Sequence, residues 1–360
     1  MKRAFITDCE GPISINDNAY ELTAHHIPNG DRLFTIISRY DDVLAEVLKR
    51  PNYKAGDTLK LIVPFLKAYG VTDRKMEEFS AQNLTLIRDA KETLKHIRTV
   101  ADAFIVSTSY QHYIRAMCHA LEFPCENTYC TKLTFDKHTL TSEEETRLKQ
   151  MAEEIAQMPF FEIPSQARTL SDLPENVQKV AKRLDTIFWN EIAQMRIGRV
   201  FREVDPMGGM EKAEAIKTIA QKLKISISQT MYVGDSITDE QAFRLVKENH
   251  GLTVSFNGNQ YAVKNADIAI LSETSLITAV IADIFCRFGK QQVIALAEDW
   301  SSEALKKSAV NDVLANRLLG LYPHMLPKVK IVTGKNMDVL AEESSQFRKR
   351  VRGEAIGRLG

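Results

Sequence analysis

Met231-Tyr-Val-Gly-Asp235-Ser-Ile-Thr-Asp239 is a short apolar run that ends in an acid, with a second acid one helical turn further on. Near the N-terminus, Phe5-Ile-Thr-Asp8-Cys-Glu10-Gly11-Pro12 is built in the same style. Each stretch reads as a buried strand stopped by turn residues, which places Asp8 and Asp235 at the carboxyl ends of strands. In a parallel sheet the crevice outside those ends is where ligands bind. Carboxylates that converge there repel one another without a cation, and hard oxygen ligands suit Mg²⁺. One such motif alone is equally well an acidic turn that caps the next helix. Two of them, with a hydroxyl-bearing strand end and a lysine between them in sequence, are much harder to read that way.

Working outward, Ala103-Phe-Ile-Val-Ser107-Thr108-Ser is another apolar strand, ending in hydroxyls. Further strands are expected at 128–135, 252–256 and 266–270. Helices are expected at 90–99, 110–121, 211–223, 239–248 and 274–288, from their apolar spacing. Strand–helix alternation of this kind implies an α/β fold, a mostly parallel Rossmann-like sheet covered by helices. The sheet core is assigned to 1–16, 89–140 and 201–288. Residues 17–88 change character, with helix-like segments at 39–49, 57–69 and 73–83 and Asp57 as a candidate cap for the second. They form a helical cap. A second helical insertion covers 141–200, with helices at 142–158 and 173–195. Residues 289–360 form a mostly helical C-terminal extension.

Composition narrows the function classes. The 360 residues carry 47 Lys+Arg and 47 Asp+Glu, which argues against a mainly electrostatic nucleic-acid binder. Hydrophobic residues at 44% and charged residues at 26% fit an ordinary globular chain. The richest apolar stretch, 276–288, is broken by Asp283 and Arg287, so no membrane insertion is expected. No signal-peptide pattern follows Met1, and five cysteines at irregular spacing suit a reduced, cytoplasmic protein. Cys125 and Cys130 lack zinc-ribbon spacing and read as packing thiols. His25-His26 reads as a polar corner, and Cys9 as pointing away from the acids beside it. The basic cluster Arg348-Lys-Arg-Val-Arg352 reads as a solvated terminus, with a docking segment as the lesser alternative.

Four motifs in this order resemble the haloacid dehalogenase superfamily, whose members are mostly Mg²⁺-dependent phosphohydrolases. Asp8-Cys9-Glu10-Gly11 resembles its first motif, Ser107 its second, Lys212 in Gly-Gly-Met-Glu-Lys-Ala its lysine, and Gly234-Asp235-Ser-Ile-Thr-Asp239 its last. Val254-Ser-Phe-Asn257-Gly-Asn and Asn265-Ala-Asp-Ile-Ala-Ile are similar to the region that follows in phosphoserine-phosphatase-like members. The resemblance implies that Asp8 takes the phosphoryl group as an aspartyl phosphate. It implies Glu10, where the family has aspartate, as general acid and base, and Lys212 as the counter-charge. Ser107, helped by Thr108, would bind phosphate. Asp8, Asp235 and the backbone carbonyl of Glu10 would ligate Mg²⁺, with Asp239 orienting them or the metal's waters.

The expected function is a Mg²⁺-dependent phosphatase acting on a small phosphorylated metabolite, its specificity set by the cap. A phosphotransferase or mutase differs only in the acceptor. The Asp-x-Glu-Gly-Pro start with a long cap and helical tail also resembles the archaeal subunit R of energy-converting hydrogenase A. That resemblance implies association with a membrane hydrogenase complex. The other alternative is a non-catalytic subunit of a larger complex, docked through the cap or tail, with Glu10 and the large share of chain outside the core as its support.

Overall fold

The computed structural model describes residues 2–164 and 166–357. Its sheet has seven strands: β1 (Ala4–Thr7), β2 (Asp102–Tyr110), β3 (Thr128–Thr131), β4 (Thr230–Gly234), β5 (Leu252–Phe256), β6 (Ile268–Leu271) and β7 (Lys328–Ile331). They lie in the order β3-β2-β1-β4-β5-β6-β7. All pairings are parallel except β6 with β7. The chain winds outward from β1 to β3, then returns to the other side of β1 as β4. A doubly wound sheet that reverses there opens a crevice at the carboxyl ends of β1, β2 and β4.

The inner strands are continuous apolar runs because both faces are covered. Successive residues of β1 show the pleat. Phe5 packs with the helices Ala90–Val100 and Leu276–Phe288 on one face. Ala4 and Ile6 pack with Gly209–Leu223 and Glu240–Glu248 on the other. Register fixes the site at the strand ends, since Thr7 lies level with Ile105 of β2 and Val233 of β4. Asp8, Ser107 and Asp235 therefore follow at nearly one height.

The helices Asn18–His26, Gly30–Asp42, Thr58–Ala68 and Asp73–Asn83 follow β1, and Ser142–Gln157 and Glu175–Asp185 follow β3. These two insertions share one hydrophobic core, in which Leu33, Ile37 and Phe65 meet Met151, Ile155 and Phe188. Local chemistry sets their starts: Asp17 accepts from Tyr20 N at 3.0 Å, and Thr141 and Glu144 form a reciprocal capping box.

Several expectations need correction. The segment 39–49 is not a helix of its own: Gly30–Asp42 is the helix, prolonged by a π-helical turn, Val43–Val47. The helix expected at 173–195 is Glu175–Asp185, followed by a π-helical turn, Thr186–Glu191. The strand expected over 128–135 ends at Thr131. Asp57 precedes Thr58–Ala68 but does not cap it with its side chain. Its backbone is already helical, and its carboxylate accepts instead from Lys60 Nζ at 2.6 Å. The C-terminal extension is mostly helical, as expected, and also carries β7, which completes the sheet. Its long helix, Met337–Arg352, packs Leu340 and Ala341 on Val263, Ala269 and Leu271. No helix among the described residues is long and apolar enough to cross a membrane.

Candidate active site

A cavity of about 120 Å³ opens over the strand ends, between the sheet and the cap. Its floor carries Asp8, Glu10, Ser107, Thr108 and Asp235, and the cap contributes Asp17, Asp41 and Asp42. Asp8, Asp235 and Asp239 are buried, with one carboxylate oxygen of each within 4.8 Å of the others.

Lys212, fully buried on the helix Gly209–Leu223, holds two of these acids. Its Nζ donates to Asp8 Oδ2 at 2.7 Å and to Asp239 Oδ1 at 2.7 Å. Burial alone would depress the ammonium, but Asp239 and Asp8 outweigh it and hold Lys212 above its ordinary range. Asp239 is the most completely bound acid of the three. It also accepts from Tyr232 OH at 2.6 Å and from the N–H groups of Asp235 (2.9 Å) and Ser236 (3.0 Å). Burial pushes its carboxyl up, and Lys212 with these donors pulls it back below the usual range. Although Asp239 stands just before the helix Glu240–Glu248, its side chain does not cap that helix. It fastens the loop that carries Asp235.

Asp8 Oδ1 accepts from Cys9 N at 2.6 Å. Burial, with Asp239 and Asp235 nearby, raises its carboxyl above the ordinary value despite Lys212. Glu10 is raised well above its ordinary value by burial and then by Asp17. Its Oε1 accepts from Asn18 N at 2.8 Å, so its carboxyl reaches the first turn of the cap. Ser107 exchanges contacts of 3.2 Å with the hydroxyl and N–H of Ser109. Thr108 donates its hydroxyl to Met207 O at 2.9 Å. Cys9 turns away, toward Met117 and Ser14, as alternation along the strand requires.

Gly11 explains how the loop after β1 comes so close. Its φ is +101°, and a Cβ there would lie 2.1 Å from Asp235 Oδ2. Only glycine allows both the turn and the approach.

The basic cluster is not a solvated terminus. Arg348 and Arg352 are buried in the cavity wall. Arg348 Nη1 bonds Asp235 Oδ2, and Arg352 Nη1 reaches the same oxygen at 3.2 Å. The sequence held one usable signal. Ala341, Ser344, Arg348 and Arg352 recur at three and four, so a buried helical stripe runs directly into two arginines. Asp17, Asp41 and Tyr232 were also missed, the first two because which cap face meets the sheet is a tertiary outcome.

A doubly wound sheet with an acid-lined crevice at its switch point defines a Rossmann-like α/β enzyme. Residues 62–283 match the model of the haloacid dehalogenase-like hydrolases, more than half of the chain, and the chain belongs to that family. It is similar to the structure of a gene product from Archaeoglobus fulgidus, with a TM-score of 0.80 and 26% identity, covering 100% of this chain and 99% of that one. It also aligns with a phosphoserine phosphatase in its apo form (TM-score 0.42, 16% identity, 76% of this chain and 96% of that one). A phospho-aspartyl intermediate analogue of phosphoserine phosphatase gives a TM-score of 0.46 at 15% identity, over 76% and 95% of the two chains. None of the curated proteins matches the chain.

Proposed function

We propose that the protein is a Mg²⁺-dependent phosphatase that hydrolyses a small phosphorylated metabolite through an aspartyl phosphate on Asp8. The observation that carries this reading is the cluster of Asp8, Asp235 and Asp239 with Lys212 bridging Asp8 and Asp239, where Asp8 and Asp235 line one cavity with Ser107 and Thr108. The donor set is all hard oxygen, which fits Mg²⁺ rather than a softer metal. Asp8 and Asp235, with the backbone carbonyl of Glu10, would hold the ion, and Asp239 would orient Asp235. Bound there, Mg²⁺ would screen the Asp8 carboxylate from the charge of the incoming phosphate.

The remaining steps belong to side chains. Asp8 attacks phosphorus and becomes the acyl phosphate, and the ester oxygen leaves. Glu10, whose carboxyl burial pushes up, gives that oxygen its proton. Once ionised, Glu10 takes a proton from water, which attacks the aspartyl phosphate and returns Asp8. Ser107 and Thr108 offer hydroxyls to the phosphate oxygens, and Lys212 supplies positive charge beside Asp8 throughout. The cap shields the site from bulk water and brings Asp17, Asp41 and Asp42 over the substrate.

The test is hydrolysis of an aryl phosphate and of a panel of phosphorylated metabolites, with and without Mg²⁺. Activity that persists in Asp8→Asn, or that needs no divalent cation, removes this mechanism. A stoichiometric complex purified from native cells, together with no turnover on any ester, would point to the accessory-subunit reading.

A further inference from the structure

The long helix of the C-terminal extension, Met337–Arg352, ends at the site, and it is built to stay there. β7 pairs along β6, and the helix Met337–Arg352 packs Leu340, Ala341 and Phe347 against Val263, Ala269 and Leu271. Ser344, buried one turn before Arg348, donates its hydroxyl to Gly258 O at 2.6 Å. That carbonyl lies in the loop whose Asn259 N–H donates to Asp235 O at 2.8 Å. The two arginines four and eight positions later are thus delivered by a docked element.

Arg352 is also anchored outside Asp235. Arg352 donates Nε to Ile15 O at 2.8 Å and Nη2 to Asn16 O, as well as reaching Asp235. It ties the loop after β1 to the C-terminal helix. Arg348 Nη1 bonds Asp235 at two points, its Oδ2 and its carbonyl. Two guanidinium groups meet one carboxylate oxygen, and that carboxylate belongs to the candidate cation site. A divalent cation arriving at Asp235 would meet two resident cations. The planar fork of an arginine pairs with the oxygens of a phosphate as well as with a carboxylate. Asp8, Ser107 and Arg348 line the same small cavity.

We propose that Arg348 is a ligand of the substrate's phosphate that rests on Asp235 until a divalent cation takes its place, and that Arg352 is a positioning residue that keeps the helix end in the cavity. The proposal rests on the phosphatase reading above. It adds a phosphate-binding residue from a part of the chain that lies outside the sheet core assigned from the sequence.

Removal of Arg348 should move two affinities in opposite directions, which a structural role would not do. Isothermal titration of wild type and Arg348→Ala with Mg²⁺ alone should show several-fold tighter binding in the variant, because a competitor for Asp235 has gone. Titration with inorganic phosphate at saturating Mg²⁺ should show binding weakened by about tenfold or more. Arg348→Met, which keeps the packed stem, gives the same pair of measurements should the alanine variant fold poorly. Arg348→Lys, a cation without the fork, should recover part of the phosphate affinity. Unchanged phosphate affinity, or weaker binding of both ions, overturns the proposal. Hydrolysis by wild type and Asp8→Asn is scored separately. If wild type turns over esters while phosphate binding ignores Arg348, only the present inference falls. If phosphate binds through Arg348 and no ester is hydrolysed, only the phosphatase reading falls.

Discussion

Replacing Lys212 by methionine should be among the most damaging single changes in the molecule, and the damage should depend on pH. The ammonium is fully buried and is 2.7 Å from carboxylate oxygens of both Asp8 and Asp239. Breaking a buried ion pair by removing one partner costs about 3–5 kcal/mol, because it leaves an uncompensated charge. Two carboxylates lose their cation here, but the cost should stay near that range rather than double. Asp239 keeps the Tyr232 hydroxyl and two backbone N–H groups, and Asp8 can take a proton. That proton sets the sign of the pH effect. Asp8 already lies above the unfolded value near 3.9, and Asp239 loses the strongest influence that holds its carboxyl down, so the folded variant binds protons that the unfolded chain has released. Its stability must fall as pH rises from about 4 through the raised folded values. Urea denaturation of wild type and Lys212→Met at pH 5, 6.5 and 8 measures this directly. The deficit should be smallest at pH 5 and widen toward pH 8. Adding Asp8→Asn to the variant should recover part of the loss, since the bare carboxylate is then gone. A deficit under about 1 kcal/mol, or one that is flat between pH 5 and 8, would refute the charge-compensation argument.

Glu10→Gln keeps the acceptor for Asn18 N but removes the proton, so turnover of alkyl phosphates should fall by roughly a hundredfold, and that of nitrophenyl phosphate by less in its first step. Steady-state rates equal to those of wild type on both substrates would exclude a proton-transfer role. Gly11→Ala forces a Cβ to 2.1 Å from Asp235 Oδ2 at a φ of +101°, so it should cost on the order of 1–3 kcal/mol and lower Mg²⁺ affinity, as read by thermal melts and calorimetry. Asp41, buried beneath Tyr53 OH (2.6 Å) and Gly56 N (2.9 Å), has its carboxyl pushed up to about 8 by burial and by Asp42. The folded value exceeds the unfolded one, so stability should decline as pH rises from about 4 to about 8, and Asp41→Asn should flatten that part of the melting-temperature profile.

The residues legible in the sequence are those whose position follows from a strand and the turn after it. Asp8, Ser107 and Asp235 each end an apolar run, and parallel register then brings them to one height with no further information. Lys212 was legible only by its order among the motifs, since nothing in Glu211-Lys-Ala says that its ammonium would be buried between two acids. Contacts made across long stretches of chain were not legible at all. Arg348 and Arg352 meet Asp235 across 113 and 117 positions, and that pairing depends on how β7 closes the sheet edge. The cap is similar: its hydrophobic core is drawn from two insertions separated by two strands and the helices beside them, and each alone shows an apolar face with no stated partner. Glu10 is where reading by family pattern and reading by geometry part company. Against the pattern it is a departure that puts turnover in doubt. In the structure its carboxyl is 2.8 Å from Asn18 N, at the first turn of the helix that begins the cap. An aspartate would draw that carboxyl back by roughly an ångström, about one carbon–carbon bond, and lose the contact unless the loop moved. The longer stem therefore joins the Glu10 carboxyl to the cap, so that a change in cap position would be felt at the group the proposed mechanism assigns to the leaving oxygen.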